Sequence, residues 1–346
     1  MSSPTNQKRV DLVLEGGGVK GIALVGGLAV LEEHGYQPQN LAGTSAGAIV
    51  ATLYAAGYPH QELYTILKQH DFSQFLDGTW LSHIPLAGNF LSIVFQRGIY
   101  KGDAFLNWMR QMLEKKGVRT FRDLIHPDFA DQPRYRYKVQ MIASDLMGRR
   151  MLVLPQDAPK LGIANPDDLE VAWAVRMSMS LALYFKPVIW RNPQTRSSAF
   201  ITDGGMLSDF PVWLFDSGPT PEWPTFGMRL VEDEPRRSPD GWLPARQVSR
   251  LSIVDYLKSL LATLMEAHDR YYLENDSFVR TIMLPTLGIQ TTDFTLSPEK
   301  ALALYNAGRK AAEKFLQTWN FERYIAEYRQ KEPPSRRDLI SETIST

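Results

Sequence analysis

The sequence contains no cysteine, which excludes disulfides, thiolate nucleophiles and thiolate metal sites. It carries no net charge: Lys plus Arg and Asp plus Glu each number 38. No global field draws such a chain to nucleic acid, and no basic stripe with interleaved aromatics is present. Any membrane contact has to come from a local patch. There is no run of about 18 apolar residues, the minimum for a bilayer-spanning helix. The opening MSSPTNQKRV lacks the apolar core of a secretory signal. The expected location is the cytoplasm, at most peripheral to a membrane. Histidine is scarce as well, with six in 346 residues, which narrows the choice of catalytic base.

What is present reads as a globular α/β chain, 44% hydrophobic and 22% charged. Residues 9–14 predict a buried strand and 21–33 a helix striped by Ile22, Val25, Leu28 and Ala29. A short strand is expected over 40–44, then a helix over 45–56 ended by Gly57. Gly102-Asp103 opens a helix that Gly117 ends, and 135–145 and 149–154 read as neighbouring strands. Asp167 and Asp168 cap a helix running to about Met179. Short strands follow at 200–202, 225–230 and 280–284. The charged stretch 231–241 is expected as a loop, 252–273 as an amphipathic helix, and Ser297-Pro298-Glu299 as a helix start. Strands alternating with helices predict one domain with a mainly parallel sheet. The expected bounds are an N-terminal extension over 1–8, a catalytic domain over 9–320 and a charged tail over 321–346.

Two glycine-rich loops carry the chemistry. Gly16, Gly18 and Gly21 in LEGGGVKGIALVGG spell G-x-G-x-x-G between a strand and a helix. A dinucleotide site would also need an acid about 20 residues further on, at the end of the second strand. Glu32 and Glu33 lie inside the first helix instead, and no Lys-Ser/Thr follows the loop as a P-loop requires. Gly43-Thr44-Ser45-Ala46-Gly47 is G-x-S-x-G. It is weak alone, but here it follows a strand and opens a helix, the setting of a strained nucleophile. The bland alternative is a turn with Ser45 as an ordinary helix cap. If Ser45 attacks an ester, the backbone amides of Gly16, Gly17 and Gly18 form a nest for the oxyanion.

A base for Ser45 is harder to find. Only His268 lies late enough for a Ser–acid–His order, and it sits within a long helical stretch. Asp203 is the better candidate. Of three Asp-Gly pairs it alone ends an apolar strand and precedes two glycines, Gly204 and Gly205. A carboxylate with its ordinary pKa near 3.9 is a weak base, so a Ser45–Asp203 dyad needs direct contact and a desolvated Asp203.

Taken together, EGGGVKG (15–21), GTSAG (43–47) and DGG (203–205) resemble, in order, the three motifs of the patatin-like phospholipase family. VRMSMSLALYFKPV (175–188) resembles a further family segment that lines the site. The resemblance implies an α/β/α sandwich and Ca²⁺-independent hydrolysis of lipid acyl esters, with phospholipid or lysophospholipid as substrate. It implies no cofactor and no metal, a Ser45–Asp203 dyad, and an oxyanion hole at Gly16, Gly17 and Gly18. Lys20, Gly43, Gly47, Gly204 and Gly205 would support the site. The family's usual Asp is Glu15 here, its common Arg is Lys20, and Ala182 stands where a Pro is usual. Acyl transfer at the same site, and a non-catalytic nucleotide- or lipid-binding module, are the alternatives. The apolar stretch from Trp80 to Phe95, within an insert over 70–100, is the candidate lid or membrane-facing flap; ordinary core packing is its other reading.

Overall fold

The computed structural model describes residues 8–69, 72–78, 95, 97–232, 256, 260, 263, 275–291 and 293–329. Among the described residues ten strands are formed: β1 (Lys8–Leu14), β2 (Tyr36–Gly43), β3 (Gly98–Tyr100), β4 (Val139–Asp145), β5 (Arg150–Leu154), β6 (Leu183–Phe185), β7 (Val188–Arg191), β8 (Ser198–Asp203), β9 (Thr225–Val231) and β10 (Thr281–Pro285). The main sheet runs β10-β9-β1-β2-β4-β8-β7, with β5 on β4; β3 and β6 pair separately. Strands β10, β9, β1, β2 and β4 are mutually parallel. β8 and β5 run antiparallel to β4, and β7 antiparallel to β8. The mixed α/β fold with a mostly parallel sheet is therefore as the sequence predicts.

Alternate residues of the central strands feed two apolar clusters, because side chains point to opposite faces with a period of two. Val10, Leu12 and Leu14 of β1 face the helices α1 (Gly21–Glu33), α2 (Ala46–Ala55) and α3 (His60–Gln69). Val13, Ala42 and Ile142 face the turn from Phe210 to Phe215. Helix α1 is buried from Gly21 through Leu31, on all sides rather than on the single stripe the sequence suggests. The reason is the later helix, here α6 (Pro298–Thr318), after α4 (Asp103–Glu114) and α5 (Val171–Ser178). A methyl group on Gly26 would strike the Tyr305 carbonyl, and one on Gly308 the Ala23 carbonyl, so α1 and α6 touch backbone to backbone. Asp11 interrupts the β1–β2 register and is only 2% exposed. It accepts the Asn40 N–H at 3.1 Å.

Three differences from the sequence reading have local causes. β2 starts at Tyr36, four positions before the expected Asn40, because its polar first half is only partly buried. α3, β3, β6 and β7 are additional. The three strands hold three, three and four residues, too few for a readable alternation. Residues 321–329, expected to begin a tail, pack on the body: Tyr324 and Arg329 are buried, and Arg329 pairs with Asp216 at 3.3 Å. The candidate flap from Trp80 to Phe95, except Phe95 itself, lies outside the described residues, as do the charged stretch 233–241 and His268. The 252–273 helix does too, apart from residues 256, 260 and 263.

Candidate active site

β1 and β2 are neighbours and finish together, Leu14 pairing with Gly43. The glycine loop and the Ser45 turn therefore leave the sheet side by side. Ser45 sits between β2 and α2 with φ 51° and ψ −119°. Positive φ is costly for a residue with a Cβ, and it marks a site whose surroundings over-determine the backbone. Those surroundings explain the two motif glycines. A side chain on Gly43 would meet the Gly47 carbonyl carbon and oxygen and, at 2.6 Å, the Ala48 nitrogen; one on Gly47 would run into the Leu14 carbonyl. The turn closes only where both positions are bare. Ser45 is partly exposed, and its N–H donates to the Ser178 hydroxyl at 3.1 Å.

Asp203 reaches Ser45 from the opposite direction. β8 enters antiparallel to β4, and its last residue pairs with Ala143. Gly43, ending β2, pairs with Met141 on the same strand. Asp203 thus stands two residues, about 7 Å, beyond the end of β2 along the sheet. It is completely buried, and its Oδ1 accepts the Gly205 N–H at 2.8 Å. Burial pushes its pKa up to about 7 from 3.8, against the opposing effects of the Gly205 N–H and the neighbouring Ser45 hydroxyl. Oδ2 is buried with no hydrogen-bond partner among the described residues. Gly204 has to be bare because it passes the Ile142 carbonyl and lies 2.9 Å, at its virtual Cβ, from the Thr44 methyl.

The glycine loop lies against Ser45. A Cβ on Gly16 would come within 3.1 Å of the Ser45 Cβ. The Gly16 N–H is already committed to the Asp209 carbonyl at 3.3 Å. Gly17 and Gly18 make no such backbone bond among the described residues, and Gly18 has φ 57°. The loop is held from behind by Glu15, which accepts from Arg229 Nε at 3.1 Å and from the Leu230 N–H. The start of α1 is covered by Thr291, whose carbonyl accepts the Val19 N–H at 3.4 Å. Lys20 follows the loop, its chain passing Gly17, with no ion pair among the described residues.

The segment 175–188 supplies residues that the sequence reading left without roles. Ser178 fixes the Ser45 amide, and the Ser180 carbonyl accepts both the Asp203 N–H at 2.9 Å and the Thr202 hydroxyl at 2.6 Å. Arg176, 3% exposed, donates to the carbonyls of Gly102, Lys101 and Lys186 at 3.1, 2.6 and 3.0 Å. Burial brings its pKa down to about 10. The Asp77-Gly78 pair proves to be a helix cap: the Asp77 carboxylate accepts the N–H groups of Gly102, Asp103 and Ala104 at the start of α4.

An apolar cavity opens from Ser45 and Gly18 and runs between α2, α3 and α4. Its far wall is an aromatic box of Phe75, Phe105 and Trp108, with ring centroids 5.2 to 5.8 Å apart. Sequence reasoning missed this wall because its members come from two segments far apart in the chain, the turn at Phe72–Phe75 and α4, each with an ordinary pattern. No group of three or more acidic or histidine side chains suited to a metal occurs among the described residues.

A family model described as Patatin-like phospholipase matches residues 12–216, a span that contains Ser45 and Asp203. The chain is 36% identical over 313 residues to the uncharacterized protein YqhO of Bacillus subtilis (strain 168), covering 90% of this chain and 99% of that one. It is also 36% identical over 129 residues to lysophospholipase NTE1 of Candida albicans, covering 35% of this chain but only 9% of that one. VipD from Legionella pneumophila shares the fold, with a TM-score of 0.52 at 17% identity, over 91% of this chain and 67% of that chain. The chain belongs to the patatin-like phospholipase family.

Proposed function

We propose that the protein is a Ca²⁺-independent lipid acyl hydrolase of the phospholipase A or lysophospholipase type, with Ser45 as nucleophile and Asp203 as base. One observation carries this reading: a strained serine beside a fully buried carboxyl, at the mouth of an apolar cavity that fits an acyl chain. Ser45 Oγ attacks the ester carbonyl as its proton passes to Asp203. The oxyanion is held by the glycine-loop amides, of which Gly17 and Gly18 have no competing backbone partner. Collapse breaks the bond to the leaving alcohol, which takes the proton from Asp203. Water, deprotonated by Asp203, then releases the fatty acid and restores the Ser45 hydroxyl. A pKa near 7 suits a base working close to neutrality. No step uses a metal, so excess chelator leaves turnover unchanged.

The test is product mass spectrometry on phospholipid and lysophospholipid, with wild type beside Ser45→Ala. Free fatty acid is expected from the wild type, and a loss on the order of 10⁴-fold from the variant. Fluorophosphonate should label Ser45 in the wild type. Equal turnover by a folded Ser45→Ala protein defeats the assignment.

A further inference from the structure

Although the chain's charge is balanced, one edge carries a group of unpaired cations in segments that hold no acid. The stretches 97–102, 146–156 and 183–202 contain no Asp or Glu. They hold Arg97, Lys101, Arg149, Lys186, Arg191 and Arg196, none of them ion-paired among the described residues, together with Arg150, which pairs with the buried Asp145 at 3.1 Å. Elsewhere acids stand beside some of the cations, as in Arg309–Glu33 between α6 and α1 and Lys116–Glu62 between the end of α4 and α3.

The same edge exposes large apolar side chains. Met147 is 64% exposed and Leu146 43%, at the tip between β4 and β5; Ile189 on β7 is 59% exposed. The register gathers them. Ile189 pairs with Phe200 and Arg191 with Ser198, so these four share one face. The Leu146 N–H donates to the Phe200 carbonyl at 2.9 Å, and Arg97 lies 5.2 Å over the Phe200 ring. Val188 and Trp190 point to the other face and are covered.

This edge adjoins the catalytic pair. Asp145 pairs with Ile201 two residues outward of the Ala143–Asp203 pair, so the Met147 tip projects beyond Asp203 by more than about 7 Å. β6, paired with β3, brings Phe185 to the acyl cavity, and Lys186 follows it directly. Apolar tips among unpaired arginines, beside a cavity mouth, match a bilayer whose headgroups carry negative charge.

We infer that the β4–β5 tip, β7 and the Arg97 turn form the surface by which the protein docks on an anionic phospholipid bilayer. Met147, Leu146 and Ile189 enter the interface, and Arg149, Arg191 and Arg196 face lipid phosphates. The inference rests on the lipid-hydrolase reading for the purpose of docking, but its test stands apart from it.

The experiment is co-sedimentation of the full chain with vesicles of phosphatidylcholine alone and of phosphatidylcholine mixed with phosphatidylserine. Wild type should favour the anionic vesicles and release as salt is raised. The triple variant Arg149→Gln, Arg191→Gln, Arg196→Gln should bind them about 100-fold more weakly, at about fivefold per cation. Met147→Asp with Ile189→Asp should also detach. Both variants should keep wild-type turnover of a soluble short-chain ester, which certifies the fold and the dyad, while losing vesicle hydrolysis. Ser45→Ala should bind vesicles as the wild type does. Equal binding of wild type to neutral and anionic vesicles, or undiminished binding by the triple variant, overturns the surface. Absence of ester turnover in wild type overturns the hydrolase reading instead.

Discussion

In the parallel half of the sheet, β1 and β2 run together and stop together, and the residues after Leu14 and Gly43 project outward from their carboxyl ends. In the antiparallel half, β8 runs the other way, and its carboxyl end carries Asp203 inward, opposite Ala143. Ser45 is accordingly partly exposed and Asp203 completely buried. The rule that open α/β sheets build sites at strand carboxyl ends explains Ser45. It selects Asp203 for the wrong reason: Asp203 meets Ser45 because β4 extends past β2 and β8 descends along the excess. The contrast assigns different work to the two halves. The outward turn supplies strain and access, and the inward strand supplies desolvation.

The sharpest way to break this division is Asp203→Asn. An amide keeps the Oδ1 acceptor for the Gly205 N–H but cannot take the Ser45 proton. Turnover of a soluble ester should fall by about 10²- to 10⁴-fold, the scale of general-base catalysis, with far-UV circular dichroism unchanged. A fully active Asp203→Asn protein would leave the antiparallel half without a chemical role. In the parallel half, Gly47→Ala should act through the backbone instead. Its methyl meets the Leu14 carbonyl, and either the turn opens or the strands shift, at a cost of about 3 kcal/mol. Calorimetry should show a lowered Tm for Gly47→Ala alone.

These two residues also show what was legible. Gly43, Gly47, Gly204 and Ser45 were readable because backbone crowding leaves one choice of residue at each glycine and places the serine by position. Asp203 was readable from its apolar strand and the glycines behind it, though the direction of that strand was not. Roles for Ser178 and Arg176 could not be read, since they depend on α5 lying behind the turn and on carbonyls from distant loops. The aromatic wall of the cavity was hidden for a similar reason: Phe75, Phe105 and Trp108 meet only after α4 folds back on the short turn at Phe72–Phe75.

Ser178 joins the halves, because it sits on α5 and holds the amide of Ser45. Ser178→Ala leaves that N–H without its acceptor, worth about 2 kcal/mol. If the bond maintains the positive φ of Ser45, kcat should drop by about 30-fold at that cost with KM for a short ester little changed. Ser178→Thr, which keeps a hydroxyl, should recover part of it. A loss of Tm with no change in kcat would make Ser178 a packing residue only.

The smallest effect separates the halves by pH. Asp203 and Asp11 both have raised pKa values through burial, to about 7 and about 8 from 3.8. A carboxyl that holds its proton more tightly when folded stabilises the fold fully below its unfolded pKa, and that stability is lost as pH rises through the folded value. Between pH 6 and pH 8 the wild type should lose about 1.4 kcal/mol through Asp203 and a larger share, about 2.3 kcal/mol, through Asp11, whose loss continues up to about pH 8 and then levels off. Activity should move the opposite way, since the base works only when ionised: kcat/KM should fall tenfold per pH unit well below 7. Asp203→Asn should remove the smaller part of the stability slope, most of it below about pH 7, together with the activity. Asp11→Asn, in the parallel half, should remove the larger part of the slope, including most of it between pH 7 and pH 8, and leave the pH–rate profile of the enzyme where it was. Thermal melts and initial rates over the same buffers measure both curves. A pH–rate midpoint that moved with Asp11→Asn would tie catalysis to β1 and end the division between inward base and outward nucleophile.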